Sequence, residues 1–289
     1  MIYRGRFAPS PTGALHFGSL VAAVASWLDA RAAGGEWLVR IEDVDTPRTV
    51  PGAADLILRT LEAFGLHWDG EVVRQSERQE HYEAALEALR AGGYVYRCRC
   101  SRREIADSGL RGLEGAIYPG TCRHLGIPPG AGLADRMIAP SEPVTFLDRA
   151  IGTVSQNVAR DIGDFVVKRR DGLHAYQLAV VVDDALQEIT HVVRGADLLW
   201  STPRQIALQR ALAYRTPAYL HFPVVTDAAG EKLSKQTGAE PVDAANAAGL
   251  LRDALRFLGQ PAAEAGSPAQ ILAQAALQFV TKPASAPGL

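Results

Sequence analysis

The opening of the chain restricts its fold more than any other segment. Ile2 to Ala8 reads as a short strand, Pro9 to Gly13 as a turn, Ser19 to Ala33 as a helix and Trp37 to Ile41 as a second strand. Strand, helix and strand within about 40 residues form the unit of a parallel sheet with a right-handed crossover. Leu20, Val24, Trp27 and Leu28 recur at helical spacing, while Ala22, Ala23, Ala25 and Ala30 permit close packing. Gly34-Gly35 then stops the helix.

Further helices are expected over Gly52 to Phe64 and Gln75 to Ala91. After Tyr94 the character changes to arginine, cysteine, glycine and proline with little periodicity, up to Leu133, which marks an insertion. Val144 to Gly172 alternates short apolar runs with turns and reads as a few antiparallel strands. Leu178 to Val182 and Ile189 to Val193 are apolar and rich in β-branched residues, as strands covered on both faces of a sheet should be. Thr202 to Ala213 reads as a helix with Pro203 in its first turn. Beyond Glu240 the sequence predicts an alanine-rich helical hairpin: Leu250 to Leu258 ends at Gly259, Ser267-Pro268 caps a last helix to Phe279, and Pro283 to Leu289 is a frayed tail. The expected division is a split α/β domain over residues 1–95 and 175–240, an inserted subdomain over 96–174, and a helical region over 241–289.

With 289 residues, 47% of them hydrophobic, the chain can bury a large core. Its 30 basic and 32 acidic residues give a net charge of -2, which excludes a broad basic grip on nucleic acid and leaves room only for a local one. Six arginines between Arg97 and Arg123, and Lys168-Arg169-Arg170, are the candidate basic clusters, although such clusters are commonly solvated faces. The apolar stretch Leu20 to Leu28 lacks the flanks of a secretory signal, and no segment has the roughly 20 apolar residues needed to cross a bilayer. A cytoplasmic protein without membrane contact, and a monomer, is expected. Cys98, Cys100 and Cys122 are odd in number and clustered, a poor disulfide framework.

Two distant segments suit an ATP site when taken together. The first is Arg6-Phe7-Ala8-Pro9-Ser10-Pro11-Thr12-Gly13-Ala14-Leu15-His16-Phe17-Gly18-Ser19, and the second is Lys232-Leu233-Ser234-Lys235-Gln236. With Ile41-Glu42-Asp43-Val44-Asp45 and Val192-Val193-Arg194-Gly195 between them, the order of segments resembles a class I aminoacyl-tRNA synthetase of the glutamyl type. The resemblance implies an α/β fold: a Rossmann-type parallel sheet, an inserted zinc-containing α+β subdomain and a short helical C-terminal region.

It also implies a chemistry. Activating a carboxylate with ATP builds charge on a pentacoordinate α-phosphate, and His16 at the entry to the first helix is placed to stabilise it, aided by the helix N-terminus. Gly18 would let the adenosine approach the backbone, and Ser19 completes the expected ATP contacts on this side. Lys232 and Lys235 would hold the β- and γ-phosphates on a closing loop, with Lys235 the main ATP contact and Gly230 supplying flexibility. ATP is expected with Mg2+. A pocket for L-glutamate must satisfy two carboxylates and one ammonium. In the family's pattern Glu42 takes the ammonium, Arg6 and Arg194 divide the carboxylates, Tyr176 lines the pocket, and Ala8 and Ser10 contribute backbone and hydroxyl. The plainer alternative is that Glu42, Asp43 and Asp45 cap the helix that follows.

Cys98-x-Cys100 with Cys122 forms a three-thiolate zinc candidate with one ligand missing. Chemical preference alone favours His124, since a tyrosine must lose a proton of pKa about 10. Tyr118-Pro119-Gly120-Thr121-Cys122 nevertheless resembles the Tyr-x-x-x-Cys pattern of a short branch of the family, so Tyr118 is named first and His124 second. The alternative is three reduced cysteines with no metal; a zinc ion here would be structural.

Two departures bear on the branch. Ser19-Leu20-Val21 stands where larger members carry an Arg-Thr-containing stretch, and only about 50 residues follow the lysine loop, too few for an anticodon-binding domain of typical size. Both resemble the short glutamyl-Q tRNA(Asp) synthetases, whose activity would be adenylation of glutamate and its transfer to queuosine at the wobble position of tRNA(Asp). A truncated enzyme charging a tRNA 3′ end, and a non-catalytic nucleotide- or tRNA-binding protein, remain the alternatives.

Overall fold

The structure is a computed structural model, and it describes residues 2–112, 115–226, 233, 240–262 and 265–280. β1 (Arg4–Phe7) runs parallel to β2 (Glu36–Ile41), with α1 (Phe17–Ala32) as the crossover. α2 (Ala53–Ala63) leads to the short β3 (Val73–Arg74), which pairs with the end of β2. α3 (Gln79–Ala91) follows, entered through a 3-10 turn at Gln75–Glu77.

The middle of the chain contains β4 (Val95–Cys98), α4 (Arg102–Asp107), the small ribbon β5 (Arg111–Gly112) and β6 (Gly115–Ala116), and β7 (Ala134–Met137). Next come β8 (Val144–Asp148), β9 (Gly152–Gln156), α5 (Val158–Asp161) and β10 (Phe165–Lys168). β4, β7 and β10 form an antiparallel sheet; of these only β10 lies in the stretch expected to be antiparallel strands, whereas β4 and β7 are strands that the sequence reading missed. The β8–β9 hairpin instead extends the sheet that follows, because Asp148 pairs in parallel with Tyr219.

One sequence-based expectation is overturned. Leu178 to Val182 is not a strand but the middle of α6 (Tyr176–Leu186), in which Leu178 to Asp184 are all buried. An unbroken apolar run satisfies a fully buried helix as well as a buried strand, so periodicity cannot separate the two, and packing between α3 and α7 overrides β-branched propensity. β11 (His191–Gly195) is the expected strand, and α7 (Thr202–Ala211) has its proline in the first turn. β12 (Ala218–Phe222), which pairs in parallel with β11, is a strand that the sequence reading missed.

The amide of Thr190 donates to the carbonyl of Arg4 at 2.9 Å, bringing β11 alongside β1. The strand order therefore reverses between β1 and β11, and in open α/β sheets that junction is where ligands bind, beyond the carboxyl ends of the strands. Over this sheet α1 is buried on nearly all sides, because α8 (Ala247–Phe257) and α9 (Pro268–Leu277) cover it with Leu251, Leu255, Ile271 and Leu272. Ser267 caps α9 through a reciprocal box with Gln270. The tail expected at Pro283 to Leu289 lies outside the described residues.

Candidate active site

A cavity of about 660 Å³ opens at the junction of β1 and β11. Arg6, Ala8, Ser10, His16, Gly18, Ser19, Glu42, Tyr176 and Arg194 all line it. These residues come from the ends of β1, β2 and β11 and from the N-termini of α1 and α6, so parallel strands deliver them to one edge of the sheet.

His16 is the N-cap of α1, with extended backbone at φ −105° and ψ 172°. A β-carbon on Gly18 would lie 3.1 Å from Cε1 of the His16 ring, so the ring packs tightly against the open face of this glycine. Lys232 and Lys235, like Gly230, lie outside the described residues. Leu233 between the two lysines lines the cavity and donates its amide to the Val225 carbonyl at 2.9 Å.

The glutamate-pocket candidates sit in a buried network of alternating charge. Arg6 donates from Nε to Asp184 Oδ1 at 3.1 Å, and the fully buried Arg40 donates to the same oxygen at 2.8 Å. Burial opposes ionisation of Asp184, yet the two guanidiniums hold its carboxyl below the usual carboxylate range. Glu42 accepts from Arg40 Nη2 at 3.5 Å, and burial, countered by Arg40 and Arg6, leaves its carboxyl pushed up to about 7. An ammonium brought next to Glu42 would restore its charge. Asp183, the neighbour of Asp184, is held by Arg78, Gln75 and Tyr82 at 2.6, 2.8 and 2.8 Å.

The Arg194 guanidinium reaches Thr202 Oγ1 at 2.8 Å, His221 Nε2 at 3.1 Å and Tyr176 Oη at 3.5 Å. Burial raises the Tyr176 phenol against the opposing charge of Arg194, so it remains a neutral hydrogen-bonding wall. Neither aspartate after Glu42 caps a helix with its side chain. Asp43 accepts from the Ser76 amide and hydroxyl at 2.8 and 2.7 Å, and Asp45 accepts from Arg48 and Arg169 at the cavity mouth. Sequence reasoning missed Arg40, Asp184, Asp148 and His221. The only local signal among them was an acid pair, Asp183-Asp184, inside an apolar helix.

Far from this pocket, the sulfurs of Cys98, Cys100 and Cys122 lie within 4.8 Å of one another. The Tyr118 phenol is 3.3 Å from the Cys98 sulfur and 3.7 Å from that of Cys100, and it accepts from the Cys122 amide at 2.8 Å. Burial opposes ionisation of Cys122, but hydrogen bonds from Tyr118 and the Arg99 amide bring its thiol down to about 7. His124 is exposed and outside this cluster. Three thiols, one of them ionising near neutrality, can hold a metal ion.

The family model of the class I tRNA synthetases (E and Q), catalytic domain, matches residues 3–258. The chain belongs to that synthetase family. Among curated relatives, a glutamyl-Q tRNA(Asp) synthetase of Dechloromonas aromatica (strain RCB) is 61% identical over 91% of this chain and 88% of its own length. One of the same name from Chromobacterium violaceum is 60% identical over 92% of this chain and 90% of its own. Among solved structures, the glutamate-tRNA synthetase of Elizabethkingia anophelis superposes with a TM-score of 0.81 at 27% identity, covering 99% of this chain and 67% of that one. The synthetase fold bears out the parallel α/β sheet expected from the opening strand, helix and strand. Among the described residues, no helix is long and apolar enough to cross a membrane.

Proposed function

We propose that this synthetase activates L-glutamate with ATP and transfers it to queuosine in the anticodon loop of tRNA(Asp). The observation that carries the amino-acid half is the convergence of two buried guanidiniums, Arg6 and Arg194, with the buried carboxyl of Glu42 on one cavity. That set complements a dicarboxylic amino acid, with two cations for its carboxylates and one anion for its ammonium. The choice of queuosine as acceptor rests on the high identity to relatives that carry the glutamyl-Q tRNA(Asp) synthetase name.

In the first step a carboxylate oxygen of glutamate attacks the α-phosphorus of ATP, and pyrophosphate leaves. His16 and the N-terminus of α1 face the growing negative charge, and Lys232 and Lys235 neutralise the departing pyrophosphate. In the second step a nucleophile of the queuosine base attacks the acyl carbon of the adenylate, and AMP leaves. Mg2+ accompanies ATP as its counter-ion. At the remote site Cys98, Cys100, Cys122 and Tyr118 would hold one structural zinc ion, which ties β4 to the segment after β6.

Two measurements test the reading. Purified protein should catalyse glutamate-dependent ATP/pyrophosphate exchange without tRNA, and it should glutamylate tRNA(Asp) that contains queuosine but not tRNA(Asp) that lacks it. No exchange would defeat the activation claim. Equal glutamylation of both tRNAs, with the label at the 3′ end, would assign the chain to conventional charging instead.

A further inference from the structure

The candidate pocket leaves one buried group without a role. His221, near the end of β12, is 0% exposed and lies beside Arg194 on the neighbouring strand. Its Nδ1 is 2.7 Å from Asp148 Oδ2, and Asp148 is itself 1% exposed. The other oxygen of Asp148 accepts from the amides of Ala150 and Ile151 at 3.0 Å each and of His221 at 3.3 Å. A carboxylate this well supplied with donors stays charged: burial opposes it, but His221 and the amides hold the acid below its usual range.

Asp148 fixes the imidazole proton on Nδ1, so Nε2 presents a lone pair. Arg194 Nε–H donates to that lone pair at 3.1 Å, while Arg194 Nη2 donates to Thr202 Oγ1 at 2.8 Å and to the Leu198 carbonyl at 3.4 Å. The Thr202 hydroxyl proton remains available to Nε2 at 3.3 Å. Two edges of the guanidinium are thus pinned from behind, and Nη1 points to Tyr176 at the cavity wall. Burial first, then the charge of Arg194, lowers the pKa of His221 against the pull of Asp148 and Asp197, which keeps the ring neutral and able to accept.

We propose that His221 and Asp148 are positioning residues for glutamate recognition, acting through Arg194 without touching the substrate. This deepens the glutamate-activation reading and rests on it. It also couples two separate stretches of chain, since Asp148 ends β8 in the hairpin and His221 belongs to β12. A freely rotating Arg194 would still carry its charge but would lose the orientation that presents Nη1 to the cavity for a charge-assisted carboxylate contact.

The test compares His221→Leu, His221→Gln and Asp148→Asn in glutamate-dependent ATP/pyrophosphate exchange, with melting temperatures measured alongside. His221→Leu should raise the KM for glutamate about 30-fold while leaving the KM for ATP within about twofold, the scale of one lost charge-assisted hydrogen bond. His221→Gln, whose side-chain oxygen can accept from Arg194, should recover most of that loss. Asp148→Asn presents an N–H to Nδ1 and forces the other tautomer, so it should raise the KM for glutamate even where the fold is intact, and it serves if the leucine variant does not fold. Equal effects on glutamate and ATP, or leucine and glutamine variants that behave alike, would overturn the positioning role. A wild-type protein with no glutamate-dependent exchange would instead overturn the activity itself, and this role with it.

Discussion

Arg6 and Asp184 face each other across the junction of β1 and α6, Nε to Oδ1 at 3.1 Å, with side chains 5% and 8% exposed. Arg40 shares the same carboxylate. Arg6 and Arg40 therefore belong to one buried electrostatic unit: Asp184 bridges the two cations, and Glu42 and Asp183 lie 3.5 and 3.8 Å from Arg40. Removing that anion should be costly: Asp184→Ala takes the carboxylate partner from Arg6 and the shortest carboxylate contact from Arg40, and urea denaturation should report a loss of about 3 kcal/mol or more. A loss under 1 kcal/mol would mean that solvent or rearranged side chains replace it.

The buried Glu42 carboxyl makes stability depend on pH. Its pKa of about 7 in the folded chain lies above the ordinary 4.5, so the folded protein binds more protons between those values and its stability falls as pH rises through that window. The difference corresponds to roughly 3 kcal/mol above pH 7. Glu42→Gln should therefore be more stable than wild type at pH 8 and about equal at pH 4, and it should lose glutamate-dependent exchange. Denaturation curves at both pH values decide the first point; a glutamine variant destabilised at pH 8 contradicts it.

The same ionisation predicts how glutamate binding depends on pH. An ammonium ligand needs Glu42 charged, so the KM for glutamate should rise as pH falls below about 7, with the KM for ATP much less affected. A flat glutamate profile between pH 6 and pH 8 would remove Glu42 as the ammonium partner.

A β-carbon on Gly18 would come within 3.1 Å of the His16 ring, so the ring would have to shift by a few tenths of an ångström. Gly18→Ala should push the imidazole away and lower exchange at least about 10-fold, approaching the loss in His16→Ala, which is expected at about 100-fold or more. Lys235→Ala should fall in the same range. Exchange retained in both His16→Ala and Lys235→Ala would break the link between the motifs and the chemistry.

Metal analysis of the purified protein should find one zinc per chain, lost in Cys122→Ser, with a lower melting temperature after chelation. Because none of these residues lines the cavity, a zinc ion here would act through the fold, and restoring zinc should restore stability and activity together. A metal-free protein with an unchanged melting temperature would leave three reduced thiols.

Some of this site is readable in one dimension. The candidate ligands Arg6, His16 and Gly18 occupy a single short segment whose strand, turn and helix pattern already aims them at one edge of a sheet. Glu42 follows at the end of the next strand for the same reason, and Tyr118 sits near Cys122 by spacing alone. Arg40 gave no such signal, since an arginine in a strand is usually a solvated residue, and its value lies in carboxylates on a distant helix.

What the sequence by itself determined is local: the opening strand, helix and strand, the glycine beside the histidine, the helix caps and the clustered cysteines. Each depends on backbone preference and on neighbours a few positions away. The tertiary structure decided the rest. Leu178 to Val182 became helix because its apolar residues could be buried in either form and the packing chose. Asp184, Asp148 and His221 gained their roles because burial makes a charge depend on whichever partner the fold brings within about 3 Å, a partner that no local pattern specifies.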